Sequence, residues 1–258
     1  MKKTLITLGF ALGLPAILVV LWWLATVTSP SFFVPTPGEL ITTFFETWFG
    51  PRLWVDILPS IARFGIGVVI AIVAGILLGM LVGLNRDLRA FTEPVFEFFR
   101  ALPPPVLIPV LLLLFGPTDL MKIFIIVLAA IWPVLLNTIE GVRAADPVQT
   151  ETSRSYGISG FNRVRYQVLP SAAPQILAGV RQSLPIALIL MVISEMFSSS
   201  SGLGFSIIQF QRRFAIPEMW SGILVLGLIG FAVAAVFRFI ERRILRWYHG
   251  LKELENAA

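Results

Sequence analysis

The chain of 258 residues contains no cysteine and a single histidine, His249. Without cysteine there is no disulfide, thiolate metal site or thiol nucleophile. One histidine near the C-terminal end supplies neither an interior haem ligand nor a Ser-His catalytic pair. Charge is scarce as well: 14% of residues are Asp, Glu, Lys or Arg, against about 25% in soluble domains. No GxxxxGK[ST] phosphate loop occurs anywhere in the sequence, so the chain has no P-loop cradle for a nucleoside triphosphate.

What is abundant is apolar surface. Hydrophobic residues make up 57% of the chain and the mean hydropathy is +0.86. Uncharged runs cover residues 4–29, 65–84, 101–118, 123–139 and 219–237; a shorter run, 182–194, extends to about 171–197 if Arg181 and Glu195 lie inside it. A helix needs about 20 apolar residues to cross a bilayer. The pattern predicts an all-α polytopic membrane protein with six transmembrane helices and both termini on one side. The first run follows Met1, Lys2 and Lys3. It is longer than the roughly 7–15 residues of a signal core and no small-x-small cleavage site follows, so it reads as a retained signal-anchor helix.

The basic residues set the orientation. With the termini inside, Lys2, Lys3, Arg86, Arg89, Arg143, Arg154, Arg163, Arg165, Arg242, Arg243, Arg246 and Lys252 fall on the inner side, against Arg52, Lys122, Arg212 and Arg213 outside. This asymmetry fits the positive-inside rule and places residues 140–170 in the cytoplasm. It also accounts for the net charge of +5 without a nucleic-acid partner. Outside, GELITTFFETWFG (38–50) is amphipathic and predicts a helix along the interface, while SSSSGLG and FSIIQFQRRF (198–214) predict a short re-entrant or surface helix. No boundary divides the chain, which reads as one transmembrane domain, 1–258.

The segment ETSRSYGISGFNRVRYQVLP, 151–170, is the polar exception. Residues 148–157 favour a short helix stopped by Gly157 in the left-handed region. Ser159 is placed to cap a second helix running through Gln167, which Pro170 would end, and Ser171 to cap the next membrane helix, with Pro174 in its first turn. Small side chains at Thr152, Ser153 and Ser155 would let another surface approach, and Glu151 offers a charge to an arginine partner. The alternative is an ordinary basic loop near anionic headgroups.

The same segment resembles the EAA loop of ABC importer permeases: Glu151, then Gly157, then Leu169 and Pro170, with Thr152 and Ser153 in place of the two alanines and Gln167 at a usual aliphatic position. RSYGISG is close to the nitrate/sulfonate/taurine branch. LPSIARFGIGVVIAIVAGILLGMLVGL, FRALPPPVLIPVLLLLFG, WPVLLNTIEGVR and the late SGLG follow in the family's order, from about Pro35 to Arg246. The resemblance implies a type I ABC importer permease fold in the plasma (cell inner) membrane. It implies a homodimer that clasps two cytoplasmic ATPase subunits and receives a small anionic or heterocyclic solute from an extracytoplasmic binding protein. ATP and Mg would be bound by the partner ATPase, and no cofactor by this chain. The loop at about 143–170 would be the coupling helix, with Glu151, Thr152, Ser153, Tyr156, Gly157, Gly160, Leu169 and Pro170 at the ATPase contact. Which solute is carried would be set mainly by the binding protein.

Several residues within the apolar runs are candidates for the pathway or its gate. Gly75, Gly79 and Gly83 form a smooth face suited to close helix packing. Pro103, Pro104 and Pro105 cannot continue an ordinary helix, and a break is tolerated in a membrane where it is buried in protein or lines a cavity. Arg63 and Glu195 both belong toward the outer leaflet, either as an ion pair shaping an outer gate or as snorkelling residues. Arg100 and Arg181 lie near inner helix ends, where snorkelling is the default. Met191 and Ser198 complete the set; the Ser198–Ser201 hydroxyls either meet solute or form a flexible polar loop.

Two other classes make different demands. A membrane-embedded enzyme needs paired carboxylates, a metal cluster or an activated nucleophile within the spans, and Glu195 with the distant His249 supplies none. An autonomous channel or secondary transporter would need no ATPase dock.

Overall fold

The computed structural model describes residues 2–29, 31–248 and Gly250, without the side chains of residues 2–12 and Ser198. His249 and Lys252 and the side chains of Lys2, Lys3 and Ser198 therefore lie outside what is described. The elements are α1 (Lys2–Thr28), α2 (Pro37–Trp48), α3 (Leu58–Leu84), α4 (Arg86–Ala101), α5 (Ile108–Phe115), α6 (Asp119–Arg143), α7 (Pro147–Ser155), α8 (Gly160–Arg163), α9 (Leu169–Ser198), α10 (Leu203–Arg212) and α11 (Ile216–Ile244). They group into two compact units: residues 1–59 with 200–227, and residues 60–199 with 228–258. Two of the divisions fall inside the continuous helices α3 and α11, where sequence leaves no mark.

In the larger unit a ladder of small residues sets the packing. An added Cβ at Gly67, Gly75, Gly79 or Gly83 would meet Ile126, Val134, Thr138 or Val142 respectively, at 2.6 to 3.0 Å. Ala71, fully buried, fills the remaining step. Each partner stands 59 positions further along the chain, so α3 and α6 run parallel and in fixed register. Backbones meet closely where side chains are absent, which is how helices gain contact in lipid. Helix α9 runs antiparallel to α6: Gly179 faces Pro133 and Asn137, and Gly141 faces Ala172 and Gln175. Helix α11 runs antiparallel to α9, with Gly230 against Leu188 and Arg181 paired with Glu241.

Parallel α3 and α6 require the chain between them to return across the unit. The run over residues 101–118 is broken at Pro103–Pro105, as these prolines implied, and the return is bent. Helix α5 has 8 residues, a rise of about 12 Å, and the bend from α4 into the following helical segment is 84°. Leu102 and Pro103 are extended (ψ 123° and 117°), as residues preceding proline are driven to be. Trp132 of α6 stacks on Phe99 and meets Phe96 edge-on, anchoring α4.

Of the six expected spans, four stand among the described residues as helical segments long and apolar enough to cross: Leu53–Leu84, Asp119–Arg143, Gly160–Phe197 and Ile216–Ile244. The bent α4–α5 pair makes a fifth if counted as one, and Gly13–Thr28 of α1 is a shorter apolar helix.

Two segments contain a π-helical turn just before a Leu-Pro step: Leu53–Ile57 before Pro59, and Val164–Val168 before Pro170. A proline ring clashes with the carbonyl four residues earlier, and the wider π turn moves that carbonyl away. Pro170 therefore does not end a helix, as the sequence suggested. The chain stays helical from Gly160 to Phe197, and Ser171 lies inside α9, donating to Gln149 Oε1 at 3.3 Å rather than capping. Ser159 is at the N-cap of α8 but makes no side-chain capping bond.

In the smaller unit, Thr36 caps α2 by accepting from Glu39 N. Trp48 is buried, donates through Nε1 to Ser221 Oγ at 2.9 Å and meets Phe210 edge-on. Buried Asp56 accepts from Gly202 N at 3.0 Å, just ahead of α10, and from Arg52, which also reaches Ser206 and lies over the Phe210 ring. Within 198–214, where a short helix was expected, lies α10, with Leu203, Gly204, Ser206, Ile207 and Phe210 buried.

Candidate functional site

The larger unit carries polar constructions at its two ends. At one end, α7 begins where Asp146 accepts from Val148 N and Pro147 occupies the first turn. It ends in a Schellman arrangement: Ile158 N donates to Ser153 O at 2.9 Å and Gly157 N to Arg154 O at 3.0 Å. Gly157 has φ +67° and Gly160 φ +56°, the left-handed region where only glycine is free of cost. The turn expected at Gly157 is present, and Gly160 adds a second that sequence reading did not separate.

This loop exposes apolar side chains. Tyr156 is 77% and Phe161 75% exposed, and Val148, Tyr166 and Leu169 are also outward. Glu151 and Thr152 are exposed, and Pro170 is half-buried. Ser153 is not available to a partner: it is buried, on the face of α7 turned toward the protein. Gln167 explains itself locally, its Nε2 donating to Thr150 Oγ1 at 2.9 Å, while its buried Oε1 and the buried Nε of Arg163 have no hydrogen-bond partner. Beside the loop, Trp247 and Tyr248 close one side of a cleft of about 710 Å³ whose other walls include Val148, Thr152, Tyr166 and Gln167. The end of α11 thus lies at the same end of the unit as residues 143–170.

At the other end, Arg63 of α3 reaches Glu195 of α9, Nη1 to Oε1 at 2.7 Å. Ser60 Oγ lies 2.7 and 2.8 Å from the two Glu195 oxygens. The same guanidinium donates from Nε to Asp119 Oδ1 at 2.9 Å, and Lys122 reaches that oxygen at 3.2 Å. Arg63, Lys122 and Glu195 are buried, while Asp119 is exposed. Two cations and two carboxylates balance, the condition under which buried charge is tolerable. The structure therefore joins Arg63 to Glu195, where sequence left pairing and snorkelling open. Ser60, Asp119 and Lys122 were missed; the i, i+3 spacing of Asp119 and Lys122 was the available signal.

The remaining candidates are dispersed. Met191 is buried at 1% exposure. Pro103 is exposed, with Pro104 and Pro105 half-buried, in the break between α4 and α5. Arg181 is held by Glu241 and Arg100 by Glu97 rather than standing alone. Helix α6 starts at the ionic cluster and ends at the loop, and α9 connects them in the opposite sense. Each therefore spans about 36 Å or more.

A multi-pass helical bundle with an exposed polar loop at one end and a buried charge cluster at the other is the build of a membrane transport component. The chain belongs to the family of binding-protein-dependent transport system inner membrane components, whose model matches residues 67–246. It is similar to the putative aliphatic sulfonates transport permease protein SsuC of Bacillus subtilis (strain 168), 29% identical over 238 residues, covering 91% of this chain and 86% of that one. The taurine transport system permease protein TauC of Escherichia coli (strain K12) is 29% identical over 246 residues, covering 92% and 89%. In fold the chain is similar to the MetNI methionine ABC transporter in an inward-facing conformation, with a TM-score of 0.63 at 18% identity, covering 75% of this chain and 98% of that chain. The chain is an ABC transport permease of the nitrate/sulfonate/taurine type, which sets aside an autonomous channel or secondary transporter.

Proposed function

We propose that this permease imports a small anion, of the sulfonate kind carried by its named relatives, and that residues 147–170 are where a separate cytoplasmic ATPase grips it. The observation that carries the docking surface is the exposed apolar set Val148, Tyr156, Phe161 and Tyr166 on a polar loop. Contiguous apolar surface exposed to water marks an interaction site. Glu151 and Thr152 border the set, and Gly157, Gly160, Leu169 and Pro170 fix its shape.

In this reading the loop lies in the cytoplasm, two copies of the chain pair as a homodimer, and two ATPases bind ATP and Mg. A binding protein delivers solute on the opposite side. Closure of the ATPases moves the loop, and α6 and α9 carry that displacement to the Arg63–Glu195 cluster, which gates the outer end. The break at Pro103–Pro105 belongs to the pathway side of the return segment. The test is to co-express the chain with a family ATPase and binding protein, purify the assembly and measure ATP-dependent uptake of radiolabelled alkanesulfonate into vesicles. Co-purification with uptake supports the reading. A chain that purifies alone and conducts without ATP refutes it.

A further inference from the structure

Helices α9 and α11 meet at two points that bracket a cavity. At one contact a Cβ on Gly230 would lie 3.2 Å from Leu188 Cδ2; at the other, Arg181 donates to Glu241. The cavity has a volume of about 640 Å³. On α11 its wall is an i, i+4 stripe, Gly230, Ala234, Arg238 and Arg242, with Val233 and Phe237 alongside; on α9 it is Leu184, Pro185 and Leu188 above Arg181.

The polar groups are confined to one end, the end that α11 shares with the loop at 143–170. Glu241 is engaged by Arg181, and among the described residues no carboxylate pairs with Arg238 or Arg242. Among the described residues, that end therefore carries a net positive charge from Arg238 and Arg242. Trp247 and Tyr248 follow one turn later, the residue types that sit at headgroup depth. From Gly230 to Arg242 the helix rises about 18 Å, close to the roughly 15 Å of one leaflet's hydrocarbon. Beyond the arginines the walls offer only apolar side chains, which suits an acyl chain and offers a hydrated solute nothing to replace its water.

We propose that this groove binds one anionic phospholipid of the inner leaflet, its phosphate between Arg238 and Arg242 and an acyl chain along Leu184, Leu188, Ala234 and Phe237. Basic pockets between helices at the cytoplasmic surface recognise such headgroups by charge. The leaflet assignment rests on the orientation adopted in the proposed function; the binding chemistry does not.

The full-length chain, extracted in mild detergent and equilibrated with equal amounts of phosphatidylglycerol and phosphatidylcholine, is examined by native mass spectrometry. The wild type retains phosphatidylglycerol preferentially. The double variant R238Q/R242Q lowers that retention by about tenfold or more, whereas Ala234→Trp, which keeps both charges and fills the groove, lowers retention of both lipids. Equal phosphatidylglycerol retention by wild type and both variants overturns the proposal. So does displacement of the lipid by added ethanesulfonate, which would make the groove part of a solute route. Uptake is not read in this experiment, so failure of the transport reading would leave a groove-dependent lipid result intact.

Discussion

Arg63 and Glu195 lie 132 positions apart, yet the guanidinium Nη1 sits 2.7 Å from the carboxylate Oε1 and both groups are buried. The pair ties the beginning of α3 to the end of α9, and through Asp119 to the beginning of α6. Removing one partner strands the other charge away from water, at a cost of about 3–5 kcal/mol. Arg63→Ala and Glu195→Ala are each expected to lower the detergent-solubilised melting temperature sharply, while Arg63→Met with Glu195→Leu loses less than either alone. If the double variant folds but its uptake stays at background, the cluster acts in gating as well as in holding the helices.

The α3–α6 contact makes a prediction of contrast. Gly79→Ala places a Cβ 2.6 Å from Thr138 Cβ and 2.8 Å from Leu135 O, and is expected to destabilise by about 1–3 kcal/mol. Gly65→Ala, on the same helix, meets nothing within 4 Å and should leave the melting temperature unchanged or slightly raised. Equal effects at the two positions would contradict the parallel register.

Gly157 isolates backbone conformation from packing, because a side chain there meets nothing within 4 Å while φ is +67°. Gly157→Val should cost about 1–2 kcal/mol of local strain, redirect Ile158 onward and abolish ATPase stimulation by delivered solute. Gly157→Asn, which tolerates that conformation, should retain most of the stimulation. The chain should remain folded in both, as judged by unfolding in detergent.

Gln167 gives the opposite sign. Its Oε1 is buried without a partner, and an unsatisfied buried acceptor costs about 1–3 kcal/mol. Gln167→Leu gives up one bond to Thr150 and removes that penalty, so stability should be unchanged or rise by about 1 kcal/mol. A loss larger than that, in thermal unfolding, would mean the amide is needed where it is.

How far these features were legible depends on whether they are local. The helix stop at Gly157 was readable because a left-handed turn is a property of one residue and its neighbours. The small-residue face at Gly75, Gly79 and Gly83 was readable as a periodicity, but its partner was not, since nothing in α3 names Val134 or Thr138. Pro170 was misread for the same reason in reverse. Proline alone signals a stop, and only the π turn beneath it, repeated before Pro59, shows the helix continuing. Ser60 gave no signal because a hydroxyl among apolar residues looks incidental until Glu195 is beside it. Ser153 was placed on the wrong face because a short polar helix has too weak a periodicity to say which side turns inward.

The constant offset between the glycines of α3 and their partners on α6 also constrains how such a chain can change length. Inserting one residue in either helix turns everything beyond it by about 100°, carrying the remaining glycines off the contact and bulky side chains onto it. Lengthening is therefore confined to residues 85–118, and to the segments beyond both helices, unless α3 and α6 gain the same residue at the same level. Among relatives of differing length, these two helices form a ruler against which the rest of the chain can be aligned.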